Sequence, residues 1–331
     1  MTAVEDRIIE DIAAGKDISL ERALLVVSGL QTEGEIAGYI RKLDQIHERF
    51  IHKLEKKVST SLSTLREYMP GLRAKLLFEY LWNTKPRRCN SNFLLTHVVD
   101  AQLDPDVHCK VGMCIGLTSL YTVLGLRENL NLTIVSNDSH MLNRLRTAAK
   151  IYNIEHTDPL GFDSELADDS FHERPPISLV ANVLNSRGLR EERKENLAEA
   201  LRNYNKAIAL NPHYANAYNN CGNVKLKEKN YHGAIEDYDT AIELNVKFDL
   251  AYCNRAMARQ KLGDYSGALR DYGRAIEIEP HYEEALYHRG LLREKMGDFT
   301  GAADDLARAA ELNPEVKEKI TKSYLPSSQH P

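Results

Sequence analysis

Three residues spread through the first half of the chain carry the side chains of a thiol enzyme: Cys114, His140 and Glu155. Cys114 opens the run Cys114-Ile115-Gly116-Leu117-Thr118-Ser119-Leu120-Tyr121-Thr122-Val123-Leu124-Gly125-Leu126, which reads as a helix apolar on nearly every side and therefore central and buried. A cysteine at a helix N-terminus faces the positive end of the dipole, which favours the thiolate. A nearby imidazole accepts the thiol proton and returns it to a leaving group. A carboxylate on the other ring nitrogen fixes the tautomer and stabilises the imidazolium. Asp158, three residues past Glu155, is an alternative acid. Residue type alone also fits a plainer reading, with the cysteine a small buried hydrophobe, the histidine structural and Glu155 an exposed strand end.

The elements that must position these groups are legible in outline. Residues 1–85 read as a helical N-terminal region. Ile8, Ile9 and Ile12 make a short amphipathic stretch, Ser19 opens a run from Leu20 to Leu30, and Ile36, Tyr39, Ile40, Leu43 and Ile46 share a helix face. Leu76, Leu77, Tyr80 and Leu81 mark a further helix ended at Asn83-Thr84-Lys85-Pro86, and another starts at Phe93-Leu94-Leu95. After the buried helix come three β-like runs, Leu132–Val135, Met141–Leu145 and Lys150–Ile154. Adjacent antiparallel strands can bring His140 and Glu155 side by side. Residues 86–163 are thus expected to form an α+β core, and the polar stretch 164–177, ending in Pro175-Pro176, an interdomain linker.

The order cysteine on a helix, histidine opening a strand, acid on the next strand resembles the transglutaminase-like superfamily, with its cysteine-protease-like core. Gly112-Met113-Cys114-Ile115-Gly116-Leu117-Thr118-Ser119-Leu120-Tyr121 resembles its nucleophile helix, Ser139-His140-Met141-Leu142-Asn143-Arg144-Leu145 its histidine strand, and Ile154-Glu155-His156-Thr157 its acid-x-Thr segment. The helices from Leu20 to Leu43 resemble the region preceding this core in bacterial members, where fusion to helical repeats is familiar. Glu155 departs from the usual Asp, and Met113 is larger than the residue expected before the nucleophile. Some members have lost the cysteine and serve as scaffolds. The resemblance implies that a Cys114 thiolate attacks an amide carbonyl, His140 protonates the departing amine, and water or a second amine releases the thioester. The Cys114 backbone N–H is a candidate oxyanion donor, and no cofactor or metal is required.

Residues 178–316 repeat with a period of 34. Ala207, Ala241, Ala275 and Ala309 form one column, Ala200, Ala234, Ala268 and Ala302 a second, and Gly188, Gly222, Ala256 and Gly290 a third. Tyr204, Tyr238, Tyr272 and Leu306 form a large apolar column; Pro212, Pro280 and Pro314 recur with Val246 as the exception. Small residues let two helices approach and the large one fills the gap beside them. Gly263-Asp264-Tyr265 and Gly297-Asp298-Phe299 read as turns between paired helices. These residues resemble the tetratricopeptide repeat family, in four units at about 181–214, 215–248, 249–282 and 283–316, followed by a polar tail over 317–331.

The resemblance implies an all-α superhelix whose first helices line a concave, peptide-binding face. Asn185, Asn219, Asn220, Asn223 and Asn254 fall on it, and their amides could hold the backbone of an extended peptide or simply be solvated. A carboxylate clamp would need Lys and Arg, whereas Glu284, His288, Leu250 and Asn254 occupy the matching places.

Composition narrows the classes further. With 331 residues, 43% hydrophobic and 27% charged, the chain can bury a core, and a net charge of −5 argues against nucleic acid or an anionic membrane as partner. Five cysteines without a C-x-x-C pair suit reduced thiols, and an N-terminus charged at once, with no long apolar run, suits a cytoplasmic protein. Cys89, His97, His108 and Cys109 match no zinc spacing. Two functions follow: a thiol acyltransferase or hydrolase whose repeats recruit a protein, or a catalytically silent adaptor.

Overall fold

Helix starts in the N-terminal half are written by capping residues. Helix α1 spans Ala3–Ala13, and the Ser19 hydroxyl opens α2 (Leu20–Val27) by accepting from the Arg22 N–H at 3.3 Å. At the start of α3 (Glu33–Lys57), Thr32 Oγ1 accepts from the Glu35 N–H at 3.2 Å and the Glu35 carboxylate accepts from the Thr32 N–H at 2.9 Å, a reciprocal capping box. Three further helices follow: α4 (Pro70–Thr84), α5 (Leu95–Leu103) and α6 (Cys114–Arg127). The computed structural model describes residues 3–57, 69–84, 94–104, 114–136, 141–156, 162–163 and 172–324.

Helix α6 is the centre of this half. Residues 116–125 are buried all round, as an all-apolar helix requires, and α2, α4 and α5 pack about it. Strands β1 (Leu132–Ser136), β2 (Met141–Arg146) and β3 (Ile151–Ile154) form the expected antiparallel set, with Ile134 opposite Asn143 and Asn143 opposite Ile154. A fourth strand, β4 (His172–Arg174), pairs with β1 and completes the order β3-β2-β1-β4. It lies inside the segment expected as a linker. Its His-Glu-Arg sequence has no apolar alternation, because ion pairs hold it: Glu173 accepts from Thr133 Oγ1 at 2.6 Å and Arg144 Nη1 at 3.1 Å, and also binds Arg146.

Arg146 above all, with Thr133 and Arg144, holds the Glu173 carboxyl down at about 2, against its ordinary 4.5; partial burial opposes the shift. A depressed carboxylate stabilises the fold fully above its ordinary value, and that contribution fades as pH falls toward about 2. Glu173→Gln is therefore expected to lower the thermal midpoint at pH 6, with the gap to wild type closing between pH 4.5 and 2. Circular dichroism melts across that window decide it; an undiminished gap at pH 2 would assign the effect to packing.

The second half is paired helices. The chain divides into two compact units, residues 1–190 with 209–212 and residues 191–208 with 213–331. The division falls inside α7 (Ser178–Arg193), most of which belongs to the first unit. There Arg187 Nη1 donates to Glu5 at 2.7 Å and to the Val27 carbonyl at 3.0 Å. Then come α8 (Leu197–Leu210), α9 (Ala215–Lys227), α10 (Tyr231–Leu244), α11 (Asp249–Lys261), α12 (Tyr265–Ile278), α13 (Glu283–Lys295) and α14 (Phe299–Leu312). Residues expected to be mostly polar tail instead form α15 (Pro314–Tyr324), whose Val316 and Ile320 pack onto the last repeat. Two apolar residues four apart suffice to seat one helical turn each.

The periodic columns are the core. Tyr204, Tyr238 and Tyr272 are fully buried, as are the alanines facing them, and Leu306 replaces the ring in the last unit. Between helices the chain bends through a left-handed residue at the same place each time, Glu195, Lys229, Gly263 and Gly297. In three of these bends the next side chain caps the following helix: Asn230, Asp264 and Asp298 accept from the N–H of Gly233, Gly267 and Gly301 at 3.2, 2.8 and 2.9 Å.

Charged columns with the same period lie under the surface. Asp271 takes two bonds from Arg255, 2.9 and 2.7 Å, and one from Arg259 at 2.7 Å; Asp305 is held likewise by Arg289 and Arg293. One unit earlier Lys225 meets Asp237 at 2.7 Å, and Cys221 stands where the other arginine would be. In the first repeat Asn203 replaces the aspartate and bonds the Glu199 carbonyl at 2.8 Å, while the column's arginine, Arg187, turns to Glu5. Where one partner of the column has changed, the charge that remains finds another: Lys225 meets Asp237, and Arg187 meets Glu5.

Candidate functional site

The first helix of each repeat presents the polar face that the sequence singles out. Asn219 on α9 and Asn254 on α11 meet across neighbouring helices: the Asn254 amide donates to Asn219 Oδ1 at 3.0 Å. Asn223, one turn on, accepts from the hydroxyl of buried Tyr238 at 2.9 Å. Asn220 is half-buried on α9. Asn185 is buried on α7 in the other unit. Of the five amides, the structure therefore joins one pair directly and ties a third to the core.

On α13 the corresponding positions are aromatic and ionisable. The His288 ring stacks on Tyr272 with centroids 6.2 Å apart and meets Tyr287 edge-on at 5.3 Å. Burial pushes its imidazole below the ordinary range, against the pull of Glu284, whose carboxylate lies 3.9 Å away. Leu250 is 45% exposed at the start of α11. This face carries half-buried Asn220, Asn223 and Asn254 beside the buried Asn219, the exposed Leu250, and a half-buried His288 whose charged form burial disfavours.

The thiol constellation is placed in part. Cys114 is the first residue of α6, as expected; its side chain, His140 and Asp158 lie outside the described residues. One turn along, Thr118 Oγ1 approaches the carbonyl of Met141 at 3.5 Å, so the second turn of α6 lies at the start of β2. Glu155 follows β3 directly and is half-buried.

His156, which sequence reasoning passed over as a site residue, is fully buried. Its Nε2 lies 2.7 Å from Asn143 Oδ1; the Asn143 amide donates to Thr122 Oγ1 at 2.8 Å, and that hydroxyl donates to the Thr118 carbonyl at 2.6 Å. The chain stitches α6, β2 and the end of β3 together. The imidazole lies against Tyr121, with centroids 4.6 Å apart, inside the apolar layer. Asn143 inside the run Met141–Leu145 was the available signal, since a polar residue on the buried side of a strand needs a buried partner.

Comparison with known proteins agrees with the repeat architecture. Tetratricopeptide repeat models match residues 215–248, 250–282 and 283–316, and a TPR repeat model matches 193–229. No curated protein matches the chain. Among solved structures, MamA is similar at 24% identity over 43% of this chain and 81% of its own, with a TM-score of 0.38. The first TPR domain of Spaghetti (RPAP3), bound to the HSP90 peptide SRMEEVD, is similar at 26% identity over 35% of this chain and 93% of its own, TM-score 0.35. The OM64 TPR domain of Arabidopsis shows 27% identity over 35% and 95%, TM-score 0.34. The family matches all fall within 193–316 and none covers the four strands. The C-terminal part of the chain, residues 193–316, is built of tetratricopeptide repeats.

Proposed function

We propose that the repeat array is a protein-recognition module that takes an extended peptide segment along α9, α11 and α13. The observation that carries this reading is the Asn219–Asn254 amide pair spanning two neighbouring repeats. A carboxamide offers donors and an acceptor together, the pattern of a peptide backbone, and two in line suit a strand-like ligand. Glu284 and His288 stand where a carboxylate-gripping cation would be needed, so an internal peptide fits better than an acidic C-terminus. The helices carry no membrane span: among the described residues none is long and apolar enough to cross one.

Panning a displayed random-peptide library on the full chain tests it. Wild type should enrich a sequence class, and Asn219→Ala with Asn254→Ala should weaken the enriched peptides about tenfold, roughly one hydrogen bond's worth of free energy. Equal retention by the variant would remove these amides from the interface.

A second reading concerns the sheet-containing unit and rests on the Thr118–Met141 approach, which sets the helix carrying Cys114 beside the strand that follows His140. It is that of a transglutaminase-like thiol acyltransferase or hydrolase, with Cys114 as nucleophile, His140 as base and Glu155 or Asp158 as its carboxylate, and with the repeats delivering the protein substrate. Cys221 and Cys253 are internal controls, because burial pushes both thiols up to about 12. Iodoacetamide at neutral pH is expected to alkylate Cys114 at least tenfold faster than either, and His140→Ala to slow Cys114 toward them. Uniform slow labelling would leave this unit a silent scaffold beside an adaptor array.

A further inference from the structure

Two points tie helix α6 to strand β2. Thr118 Oγ1 lies 3.5 Å from the Met141 carbonyl, and Thr122 Oγ1 accepts from the Asn143 amide at 2.8 Å. Four residues along a helix advance roughly 6 Å and two along a strand roughly 7 Å, so the two points run side by side and fix the slide of one element along the other. Thr118, Thr122, Asn143 and His156 are all fully buried. Hydrocarbon of the same volume would carry less desolvation cost but would tolerate a shift that directed bonds forbid.

The bonds run one way, and a backbone carbonyl sets their direction. The Thr118 carbonyl can only accept, so the Thr122 hydroxyl donates to it. Thr122 Oγ1 then accepts from Asn143 Nδ2, which turns Asn143 Oδ1 toward His156 Nε2, 2.7 Å away. An amide oxygen cannot donate, so the His156 ring carries a proton on Nε2. His156 follows Glu155 directly, Asn143 stands on the strand that His140 precedes, and Thr118 and Thr122 stand on the helix that Cys114 opens.

We propose that His156 is a positioning residue for the thiol site: as an Nε2–H donor acting through Asn143 and Thr122, it holds in one register the elements that bear or adjoin Cys114, His140 and Glu155. The inference rests on the thiol reading of this unit. A slip of one residue in β2 would turn every side chain of the strand to the opposite face. It would also strand the Asn143 amide in the apolar layer without either partner, which penalises the slip further. The His156 ring lies against Tyr121 of α6 as well, so its plane is set by the same helix whose hydroxyls end the chain.

Two measurements on the full chain test this. Proton–nitrogen correlation spectra of the histidine rings, with His156 assigned by its absence from His156→Gln, should show Nε2 protonated at neutral pH. A bare Nε2 overturns the proposal whatever the thiol does. The second measurement is the rate of Cys114 alkylation by iodoacetamide as a function of pH. Thr122→Val keeps the shape and removes the hydroxyl; it should slow Cys114 at neutral pH about tenfold and move the midpoint of the profile up toward about 8.5, the ordinary thiol value. Thr122→Ser restores the hydroxyl and should restore the rate. His156→Phe should behave like Thr122→Val, and His156→Gln, whose amide can still donate to Asn143, like wild type. A network that only supports the fold would lower the thermal midpoint of these variants and leave the alkylation profile in place, which overturns the proposal while the thiol reading stands. A wild-type Cys114 as slow as Cys221 and Cys253 overturns both.

Discussion

Asp271→Ala is expected to cost the repeat array about 3–5 kcal/mol, the range for removing one partner of a buried ion pair. The carboxylate is 5% exposed and holds two guanidinium groups, Arg255 and Arg259, themselves 14% and 24% exposed. Without it Arg259 has no buried counter-charge, and Arg255 keeps only Asp239 at 2.6 Å. Since the chain's one tryptophan, Trp82, lies in the first unit, its fluorescence follows that unit in urea, while helical circular dichroism reports both units, so the part of its transition not shared with Trp82 belongs to the repeats. That part should move to lower urea with the Trp82 transition unmoved. A loss below about 1 kcal/mol, the worth of an exposed pair, would mean that water reaches these guanidiniums and screens them.

Tyr238→Ala should match that loss by another route. The ring is fully buried between repeats, and aromatic-to-alanine changes in cores cost about 3–5 kcal/mol. Tyr238→Phe, which removes only the hydroxyl bonded to Asn223, should cost about 1 kcal/mol. The partner position separates packing from polarity. A Cβ added at Gly222 would lie 2.5 Å from the Tyr238 ring, so Gly222→Ala destabilises the wild type. In the Tyr238→Ala background the same methyl group enters vacated space, and the sign of its effect should reverse. Such a reversal in a double-mutant cycle measures the fit of glycine to ring directly. Additive losses would show that the helices shift apart instead of leaving a void.

The repeats were legible because their small and large columns are covalently spaced, and a spacing survives translation into helices unchanged. The arginine–aspartate columns, 255 with 289, 259 with 293 and 271 with 305, keep that period through the last two repeats. They escape a search for apolar residues because charge marks them as surface until their mutual burial is seen. Strand β4 is illegible for a related reason: His172, Glu173 and Arg174 carry no hydrophobic signal, and the distant Thr133, Arg144 and Arg146 hold Glu173 in the sheet. In the candidate sites, the start of α6 at Cys114 and of β2 just after His140 follow from local pattern. The Asn219–Asn254 pair does not, because it depends on how far one helix slides along the next.

The left-handed bends give the array headroom for hardening. At two of four equivalent corners the chain already uses glycine, while Glu195 and Lys229 adopt the same geometry at φ 61° and 63° with a side chain in the way. Relief of about 1–2 kcal/mol of backbone strain, less about 0.4–1 kcal/mol of added freedom in the unfolded chain, leaves a net gain at each corner. Engineering these two loops to glycine would raise heat tolerance while leaving every buried side chain, and both candidate sites, as they are.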